Sequence, residues 1–397
     1  MSKWEMVRLG DVCAFINGDR GVNYPSAKDF QDLGIPFINA GHLKNESISF
    51  ENMNYISEEK YNKLGLGKIQ DGDLLYCLRG SLGKQAIVEG LNRGAIASSL
   101  VILRPHNIKI AFLKYAMKSN AIIEQQERAN NGSSQPNLSA NSVKNYLIPL
   151  PSPHVQQKIA DILDRANALI EKRKAQIEKL DLLVKSQFIE MFGDPVTNPK
   201  GWGVKRLGEL FKVRSSKRVY QHEQTNDGVP FLRISDLTNR IIDDINSCSL
   251  YISEELFDEY KKMGYVPKSG DILVTSRGTL GLCYIVQNSD KFYFQDGMIS
   301  WLSHQRVEVD SHYIRYLFLT DDIKRQIERL TAGSTVGYLS LANLENLKIM
   351  FPQYMLQSEF ASFVERVEEQ KNEFQKSLAL MELSYKSLMQ KCFEGEI

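Results

Sequence analysis

Two short turns carry the residues best suited to bind a polyanion. Residues 79–83 (Arg-Gly-Ser-Leu-Gly) and 277–281 (Arg-Gly-Thr-Leu-Gly) share one pattern. The glycines permit close backbone approach, and the arginine offers a fork of donors that fits a phosphate or the edge of a guanine. One such pentapeptide is common in unrelated hairpins, but its recurrence strengthens the interpretation. The candidate contacts in these turns are Arg79, Gly80, Ser81, Arg277, Gly278 and Thr279, with Lys84 just after the first.

A second polar loop also occurs twice. Residues 130–139 are Asn-Asn-Gly-Ser-Ser-Gln-Pro-Asn-Leu-Ser, and residues 331–340 are Thr-Ala-Gly-Ser-Thr-Val-Gly-Tyr-Leu-Ser. Such loops can present hydroxyls, amides and backbone N–H groups to phosphates. An ordinary connection between a helix and the next strand is an equally good interpretation. The binding interpretation selects Gly132, Ser133, Ser134, Gln135, Gly333, Ser334, Thr335 and Tyr338.

The sequence offers binding surfaces and no active site. Residues 80–84 resemble half of a phosphate-binding P-loop, but the spacing is wrong and Gln85 stands where a hydroxyl is required. There is no G-x-S-x-G nucleophile turn, the six histidines lack metal-ligand spacing, and the five cysteines contain no C-x-x-C pair. We therefore expect reduced, mostly buried thiols, no metal, and no cofactor on this chain.

The charge balance excludes a general polyanion binder. The 49 Lys and Arg residues face 48 Asp and Glu residues, a net charge of +1. Any contact with nucleic acid must therefore come from local patches. One candidate patch lies at residues 205–218 and contributes Lys217 and Arg218, although a solvated charged surface explains that cluster as well.

The recurring turns belong to a repeat that spans the chain. Arg-Leu-Gly at 8–10, Tyr-Ile-Ser-Glu-Glu at 55–59 and Gly-Asp at 72–73 return at 206–208, 251–255 and 270–271. Matched landmarks lie 194 to 201 residues apart, too far for a solenoid repeat. Each copy is therefore a domain. Residues 74–78, 99–104, 272–275 and 298–303 have the composition of strands, so we predict an α+β protein with two similar globular domains.

The two copies differ most in one short segment. Residues 38–44 of the first copy (Ile-Asn-Ala-Gly-His-Leu-Lys) stand against 232–237 of the second (Leu-Arg-Ile-Ser-Asp-Leu). A shared framework with altered polar tips is what two readers of different sequences would show. The candidate base-reading or adjoining residues are Asn39, His42, Lys44, Arg233, Ser235 and Asp236.

Each copy ends in a long amphipathic segment that predicts a helix. Residues 154–190 contain neither Pro nor Gly, and Gly193 and Pro195 end the helix. Apolar residues recur at alternating steps of three and four, the seam pattern of a coiled coil. The predicted seam residues are Ile159, Leu163, Ile170, Ile177, Leu180, Val184 and Phe188 in the first helix. In the second they are Leu356, Phe360, Phe363, Val367, Phe374, Leu378, Met381, Tyr385 and Leu388.

Helices of this length need a partner to cover the seam. Each would be roughly 55 to 60 Å long at 1.5 Å per residue. The cheapest cover is the other helix of the same chain, and a tandem repeat closes symmetrically only if the two helices run antiparallel. The chain termini would then lie near the first domain. Two independent helical hairpins, or coiled coils between molecules, are the alternative.

No apolar run approaches the roughly 20 residues of a membrane span, and the N-terminus lacks a signal-peptide core, so we expect a soluble cytoplasmic protein.

The order of motifs resembles the DNA-specificity subunit of type I restriction-modification systems across essentially the whole chain. The resemblance rests on Trp-Glu-Met-Val-Arg-Leu-Gly-Asp at 4–11 and Trp-Gly-Val-Lys-Arg-Leu-Gly-Glu at 202–209. It also rests on Gly-Asp-Leu-Leu at 72–75 and Gly-Asp-Ile-Leu at 270–273. It continues in Ile-Pro-Leu-Pro at 148–151, Gln-Gln-Lys-Ile-Ala at 156–160, and Met-Phe-Gly-Asp-Pro at 191–195. The second copy departs from the pattern at residues 349–352 and 356–360.

The resemblance implies two target recognition domains, at 1–153 and 193–353, joined by spacer helices at 154–192 and 354–397. Each domain would read one half of a split, asymmetric site in double-stranded DNA, and the helices would fix the gap. The family's helices also hold two modification subunits, which bind S-adenosylmethionine and methylate adenine, and the complex recruits two ATP-driven restriction subunits. A fused methyltransferase is disfavoured because the Asn-Pro-Pro-aromatic or Asp-Pro-Pro-aromatic motif is missing. A scaffold that holds partners without reading DNA is the other alternative.

Overall fold

The chain folds into two compact units. The computed structural model describes residues 4–130, 136–242, 245–303, 305–332 and 337–396. One unit comprises residues 1–174 and 376–397, and the other comprises residues 175–375. Each unit contains one globular domain and part of both long helices. The unit boundaries therefore fall inside the helices and not at the ends of the globular domains.

The first globular domain contains twelve named strands and five short helices in its described residues. The strands are β1 (Met6–Arg8), β2 (Cys13–Asn17), β3 (Phe30–Gln31), β4 (Ile35–Ile38), β5 (Leu43–Lys44), β6 (Ser47–Ile48), β7 (Asn54–Ile56), β8 (Leu74–Cys77), β9 (Gln85–Ile87), β10 (Ala95–Ile96), β11 (Leu100–Pro105) and β12 (Leu147–Pro149). The helices are α1 (Leu9–Val12), α2 (Glu58–Lys63), α3 (Ile110–Ala116), α4 (Asn120–Ala129) and α5 (Ala140–Lys144).

Two four-stranded sheets organise this domain. The central sheet has the order β2-β11-β8-β9, and all its pairs are antiparallel. The outer sheet has the order β10-β4-β7-β3, with β10 and β4 parallel. Strands β8 and β11 form the core of the central sheet because Leu74, Leu75, Ile102 and Leu103 are fully buried. These apolar runs are the strands predicted at 74–78 and 99–104.

The first long helix, α6 (Pro153–Phe192), connects to the second globular domain. The strands of that domain are β13 (Gly203–Arg206), β14 (Lys212–Arg214), β15 (Gln224–Thr225), β16 (Val229–Leu232), β17 (Tyr251–Ile252), β18 (Ile272–Thr275), β19 (Cys283–Ile285), β20 (Tyr293–Phe294), β21 (Ile299–Ser303) and β22 (Lys348–Phe351). Its helices are α7 (Leu207–Leu210), α8 (Ile234–Ile242), α9 (Glu254–Lys262), α10 (Ser311–Phe318), α11 (Asp321–Thr331) and α12 (Leu341–Glu345), and the chain ends in α13 (Tyr354–Glu394).

The second domain repeats the topology of the first. Its central sheet has the order β14-β21-β18-β19, and its outer sheet has the order β15-β17-β16-β20 with β16 and β20 parallel. The entering strand pairs with the strand before the long helix in both copies, as β1 with β12 and as β13 with β22. The predicted α+β fold of two similar domains is therefore confirmed.

The long helices run antiparallel within each unit. In the first unit, Lys174 of α6 lies 3.5 Å from Glu382 of α13, and Ile159 and Leu163 share a core with Cys392. In the second unit, Asp181 of α6 pairs with Lys371 of α13 at 2.6 Å. All sixteen predicted seam side chains are buried or half-buried. The antiparallel arrangement predicted from the doubled seam is therefore present in both units.

The C-terminal end of α6 follows from local sequence. The left-handed Gly193 (φ 82°) follows the last residue of the helix, and its N–H bonds to the carbonyl oxygen of Ile189 at 2.8 Å. Lys200 donates to the carbonyl oxygens of Glu190 and Met191, which places a positive charge at the negative end of the helix. Within the described ranges, no helix combines the length and the apolar character required to cross a bilayer.

Candidate nucleic-acid interface

In the first unit, the Arg-Gly turn at residues 79–83 lies beside residues 136–138 of the polar loop. Strand β8 runs into the turn, and Arg79 forms an isolated antiparallel bridge with Asn137. The N–H of Gly80 bonds to the Pro136 carbonyl at 3.0 Å, and the N–H of Leu138 bonds to the Leu78 carbonyl at 2.8 Å. Two motifs that were predicted separately therefore form one exposed surface.

The second unit repeats this arrangement. The N–H of Leu339 bonds to the carbonyl oxygen of Ser276, next to the turn, at 3.0 Å. The guanidinium of Arg277 lies 5.7 Å from the centre of the Tyr338 ring. Both Arg277 and Tyr338 remain exposed. The aromatic ring holds the arginine by a cation–π contact without consuming its hydrogen-bond donors.

Glycine is required at the same point of both turns. Gly80 and Gly278 have φ values of 79° and 67°, the left-handed conformation that glycine adopts readily. A Cβ atom added to either would meet nothing within 4 Å, so the space beside each turn is open. The turns can therefore be approached closely by a ligand.

A side chain from the preceding strand braces each turn from inside. The thiol of Cys77 donates to the Arg79 carbonyl oxygen at 3.1 Å, and burial raises its pKa, which keeps it protonated as a donor. At the equivalent position, the hydroxyl of Thr275 donates to the Thr279 carbonyl oxygen and accepts from the N–H of Leu282. The arginines thus project from turns of fixed shape.

A hollow of about 450 Å³ lies beside Arg79 in the first unit. Its other lining residues are Asn17, Gly18, Arg20, Leu66, Asn137, Leu138, Ser139 and Ala140. Two exposed arginines and several amide and hydroxyl groups therefore converge on one concave surface. Arginine can bind phosphates and guanine edges, and asparagine can bind adenine edges, so this surface is chemically suited to nucleic acid.

Arg20 was missed in the sequence analysis. It is exposed, and its guanidinium has one long bond, of 3.4 Å, to the Ser98 carbonyl oxygen. Arg218, which was selected, follows the first strand of the other central sheet in the same way. Arg20 stands in no basic cluster, so the local charge pattern does not mark it. An alignment of the two copies at these strands would have placed it opposite Arg218.

The basic patch of the second unit is partly neutralised. Arg218 pairs with Asp296 at 3.0 Å and is exposed. Lys217 lies 4.7 Å from the centre of the Tyr260 ring and 3.8 Å from Glu259. These contacts are compatible with contact to phosphate, but they reduce the local positive charge.

The variable segment of the first copy is a 3-10 turn (Ala40–His42) followed by the β5–β6 hairpin. His42 is only 5% exposed, and its ring nitrogens contact the Asn39 N–H and the Asn52 carbonyl oxygen. The polar atoms of His42 therefore hold the segment together, and its role as a base reader stays a prediction. The Asn39 side chain caps the N–H of Gly41, and exposed Lys44 pairs with Glu51.

Lys84 is also engaged inside the domain. Its ammonium donates to the Ala40 carbonyl oxygen at 2.9 Å, and the residue is half-buried. This bond ties the strand after the Arg-Gly turn to the start of the variable segment. Lys84 is thus better placed to support the surface than to contact a ligand, whereas exposed Ser81 lies on the turn itself.

The variable segment of the second copy is helix α8 in place of the hairpin. Asp236 accepts from the N–H of Arg233 at 2.9 Å, and the Arg233 guanidinium reaches the Ser249 hydroxyl at 3.0 Å. Arg233 and Ser235 are exposed. The two copies therefore differ in secondary structure at this position as well as in polar side chains.

Seven predicted loop residues lie outside the described residues, so their placement does not enter the description of the interface. They are Gly132, Ser133, Ser134, Gln135, Gly333, Ser334 and Thr335. Across the part of the chain that the structure describes, no group of three or more His, Cys, Asp or Glu residues could hold a metal ion.

The chain thus consists of two similar domains in tandem, and each domain presents an arginine turn beside a polar loop. This arrangement is typical of a protein that binds its ligand with two related domains. The sequence model described as type I restriction modification DNA specificity domain matches the chain twice, at residues 1–179 and 199–380. The chain belongs to this family. Recognition of DNA sequence is the function that this membership carries.

Two specificity subunits of type I restriction enzymes are similar to this chain over almost its whole length. The MjaIX specificity subunit of a type I restriction enzyme from Methanocaldococcus jannaschii is 27% identical, over 99% of this chain and 93% of that protein. The MjaVIII specificity subunit from the same organism is 22% identical over the same shares of the two chains. The match therefore includes both domains and both long helices.

Solved structures show the same fold. A chain from a study of complex assembly and conformational transition in a type I restriction-modification system superposes with a TM-score of 0.62 at 18% identity, covering 99% of this chain and 98% of that one. The specificity subunit of such a system from M. genitalium superposes with a TM-score of 0.57 at 17% identity, covering 99% and 96%.

Proposed function

We propose that each globular domain binds one half of a bipartite, asymmetric site in double-stranded DNA. The observation that carries the proposal is the doubled surface of Arg-Gly turn and polar loop, at equivalent positions of two domains with one topology. Exposed Arg79 and Arg277 contact phosphate or guanine, and the neighbouring variable segments supply the difference between the half-sites.

The variable segments support the assignment of two different half-sites. A hairpin at Leu43–Ile48 in one domain and helix α8 in the other enter the same position of a shared framework. A groove of DNA accepts a helix or a two-stranded ribbon, but each presents different side chains to the base edges. One symmetric framework therefore reads an asymmetric sequence.

The long helices set the distance between the half-sites and dock two methyltransferase subunits. Leu182 of α6 and Leu383 of α13 occupy equivalent positions of the repeat and are 64% and 66% exposed. Each lies on a helix whose seam is already covered by its partner helix. Exposed leucines duplicated in this way suit two copies of one apolar partner surface.

The partners supply the catalysis in this proposal. The methyltransferase subunits bind S-adenosylmethionine and methylate adenine, and two restriction subunits with ATP complete the nuclease. This chain serves as the non-catalytic specificity subunit, in which Arg79 and Arg277 bind DNA and do not react with it.

Exchange of the first domain tests the proposal. Residues 1–153 are replaced by the corresponding segment of a related specificity subunit, and methylated adenines are mapped by sequencing in a host that also expresses the methyltransferase subunits. Only one half of the recognition sequence should change, and the reciprocal exchange of residues 193–353 should change the other half. A change of both halves after either exchange would refute the independence of the domains, and S-adenosylmethionine binding by the isolated chain would favour a fused enzyme.

A further inference from the structure

Each long helix has a buried glutamine in its first turn that bonds back to a proline before the helix. Gln156 of α6 is 2% exposed, and its side-chain N–H donates to the Pro151 carbonyl oxygen at 2.9 Å. Gln357 of α13 is fully buried, and its side-chain N–H donates to the Pro352 carbonyl oxygen at 2.8 Å. The two units thus contain the same hydrogen bond at equivalent positions of the repeat.

The other end of each amide bonds to the globular domain. The Gln156 side-chain oxygen accepts from the backbone N–H of Lys109, the residue before α3, at 2.8 Å. The Gln357 side-chain oxygen accepts from the backbone N–H of Asp310, the residue before α10, at 3.0 Å. One side chain therefore joins the long helix, the strand-to-helix junction and a domain helix.

Only an amide of this length satisfies both partners. A glutamine provides a donor and an acceptor, whereas ionised glutamate lacks the donor, and methionine has no donor and only a weakly accepting sulfur. Leaving a buried carbonyl or N–H without its partner is unfavourable, which explains why the residue is an amide in both copies. The four intervening residues differ completely: Ser-Pro-His-Val at 152–155 in the first copy and Gln-Tyr-Met-Leu at 353–356 in the second.

A second polar contact between each long helix and its globular domain lies further along the helix, and its chemistry differs between the units. Asp164 of α6 accepts from the Tyr115 hydroxyl and pairs with Lys114, both at 2.6 Å. In the other unit, Glu368 of α13 pairs with Arg315 at 2.8 Å. Two points fix the direction of a rod, and the buried amide is the point that the two units share.

We propose that Gln156 and Gln357 are positioning residues that fix the direction in which each long helix leaves its globular domain, and that they thereby make DNA recognition selective for the gap between the half-sites. The proposal rests on the proposed function, since it presumes a bipartite site. It adds to that function the two side chains that fix the direction of the long helices. Neither residue contacts DNA in this proposal.

Gap selectivity is the readout that separates positioning from simple stabilisation. Gln156→Met and Gln357→Met keep the length of the side chain and remove both polar groups. Each variant, as the full chain purified with its methyltransferase subunits, is titrated with duplexes that carry the native gap or a gap one base pair shorter or longer. We expect the preference for the native gap to fall by at least about threefold in each variant, while affinity for the native gap falls less.

Gln353→Met is the matched control, because Gln353 precedes α13 and is exposed. It should leave the preference unchanged. Amide hydrogen exchange provides a second measurement that does not depend on DNA: the N–H of Lys109 should exchange faster in Gln156→Met, and that of Asp310 faster in Gln357→Met. If a methionine variant does not fold, Gln156→Glu takes its place: the ionised side chain loses the donor to Pro151 and adds a negative charge beside that carbonyl oxygen, with the same loss of gap preference expected.

Three results would overturn the inference. Faster exchange at Lys109 or Asp310 with an unchanged gap preference would show that the amide does not set the geometry. An equal loss of affinity for all three gaps would indicate a stabilising role only. A wild-type complex that binds all gaps equally would overturn the bipartite function itself, and this outcome is recognised before any variant is tested.

Discussion

The C-terminal end of α13 should stabilise the first globular domain, although about 240 residues separate Phe393 from the end of that domain at residue 153. Phe393 is 8% exposed, and its ring centre lies 5.3 Å from that of the fully buried Phe112. The neighbouring Cys392 is fully buried in the same core. Replacing Phe393 by alanine removes the ring from this core and leaves a cavity beside α3.

The expected cost follows from the size of the buried side chain. Phe→Ala substitutions in cores cost about 3 to 5 kcal/mol, and the position of Phe393 near the chain end lets the site relax, which favours the lower figure. A loss of about 3 kcal/mol in a unit of about 200 residues corresponds to a decrease of about 6 to 12 °C in its Tm. Amide exchange through opening of that unit should accelerate by about 100-fold.

Native-state hydrogen exchange measured peptide by peptide locates the effect. Strand β11 and helix α3 should exchange faster in Phe393→Ala, whereas β18 and β21 of the other unit should keep their wild-type rates. Leu380→Ala is the matched control, since Leu380 lies on the same helix and is 66% exposed. Equal acceleration in both units, or none in β11, would refute the assignment of the C-terminal segment to the core of the first domain.

Three further predictions concern the surface. Arg79→Ala and Arg277→Ala should each weaken DNA binding and reduce its salt dependence by about one released ion, measured by titration at several salt concentrations, and an unchanged slope would exclude a phosphate contact. Leu182→Lys and Leu383→Lys should each reduce the number of methyltransferase subunits bound from two to one, measured by native mass spectrometry, and retention of two would exclude the leucine surface. The Ser26 backbone and hydroxyl, with Lys60, lower the pKa of Asp29 to about 2, so this carboxylate stabilises its loop above its ordinary pKa of about 4 and loses that effect as the pH falls towards 2. Asp29→Asn should therefore speed proteolysis of the loop at pH 7, with a difference from wild type that shrinks below pH 4, and a constant difference would contradict this cause.

The architecture could be predicted because the same signals occur twice. Strands β8 and β18 each follow a Gly-Asp turn and begin with a short run of apolar residues, and this pattern predicts strands that are buried on both faces. The long helices are visible as heptad seams that end at Gly193 in one copy and at Gly395 in the other. Repetition turned each weak pattern into a usable prediction.

The roles of polar side chains were less predictable, because type and spacing do not show what a group bonds to inside the fold. His42 and Lys84 have the chemistry of DNA contacts, yet their polar atoms bond to backbone groups of their own domain. Arg20 has no basic neighbours in the sequence to mark it, and the hollow beside Arg79 becomes visible only when β2 and the turn are placed together. Tertiary hydrogen bonds decide where these polar atoms lie, and residue type and spacing alone do not show those bonds.

The junction at Gln357 departs from the pattern of the first copy in sequence but keeps its hydrogen bonds. The second copy lacks the Ile-Pro-Leu-Pro and Gln-Gln-Lys-Ile-Ala patterns of the first, so the start of α13 seemed to match poorly. The structure retains what the geometry requires, a proline carbonyl and an amide five residues later, and exchanges the rest. Each unit combines the start of its own long helix with the end of the other one. The two copies of this chain thus keep one buried amide at the junction, while the four residues between it and the proline differ.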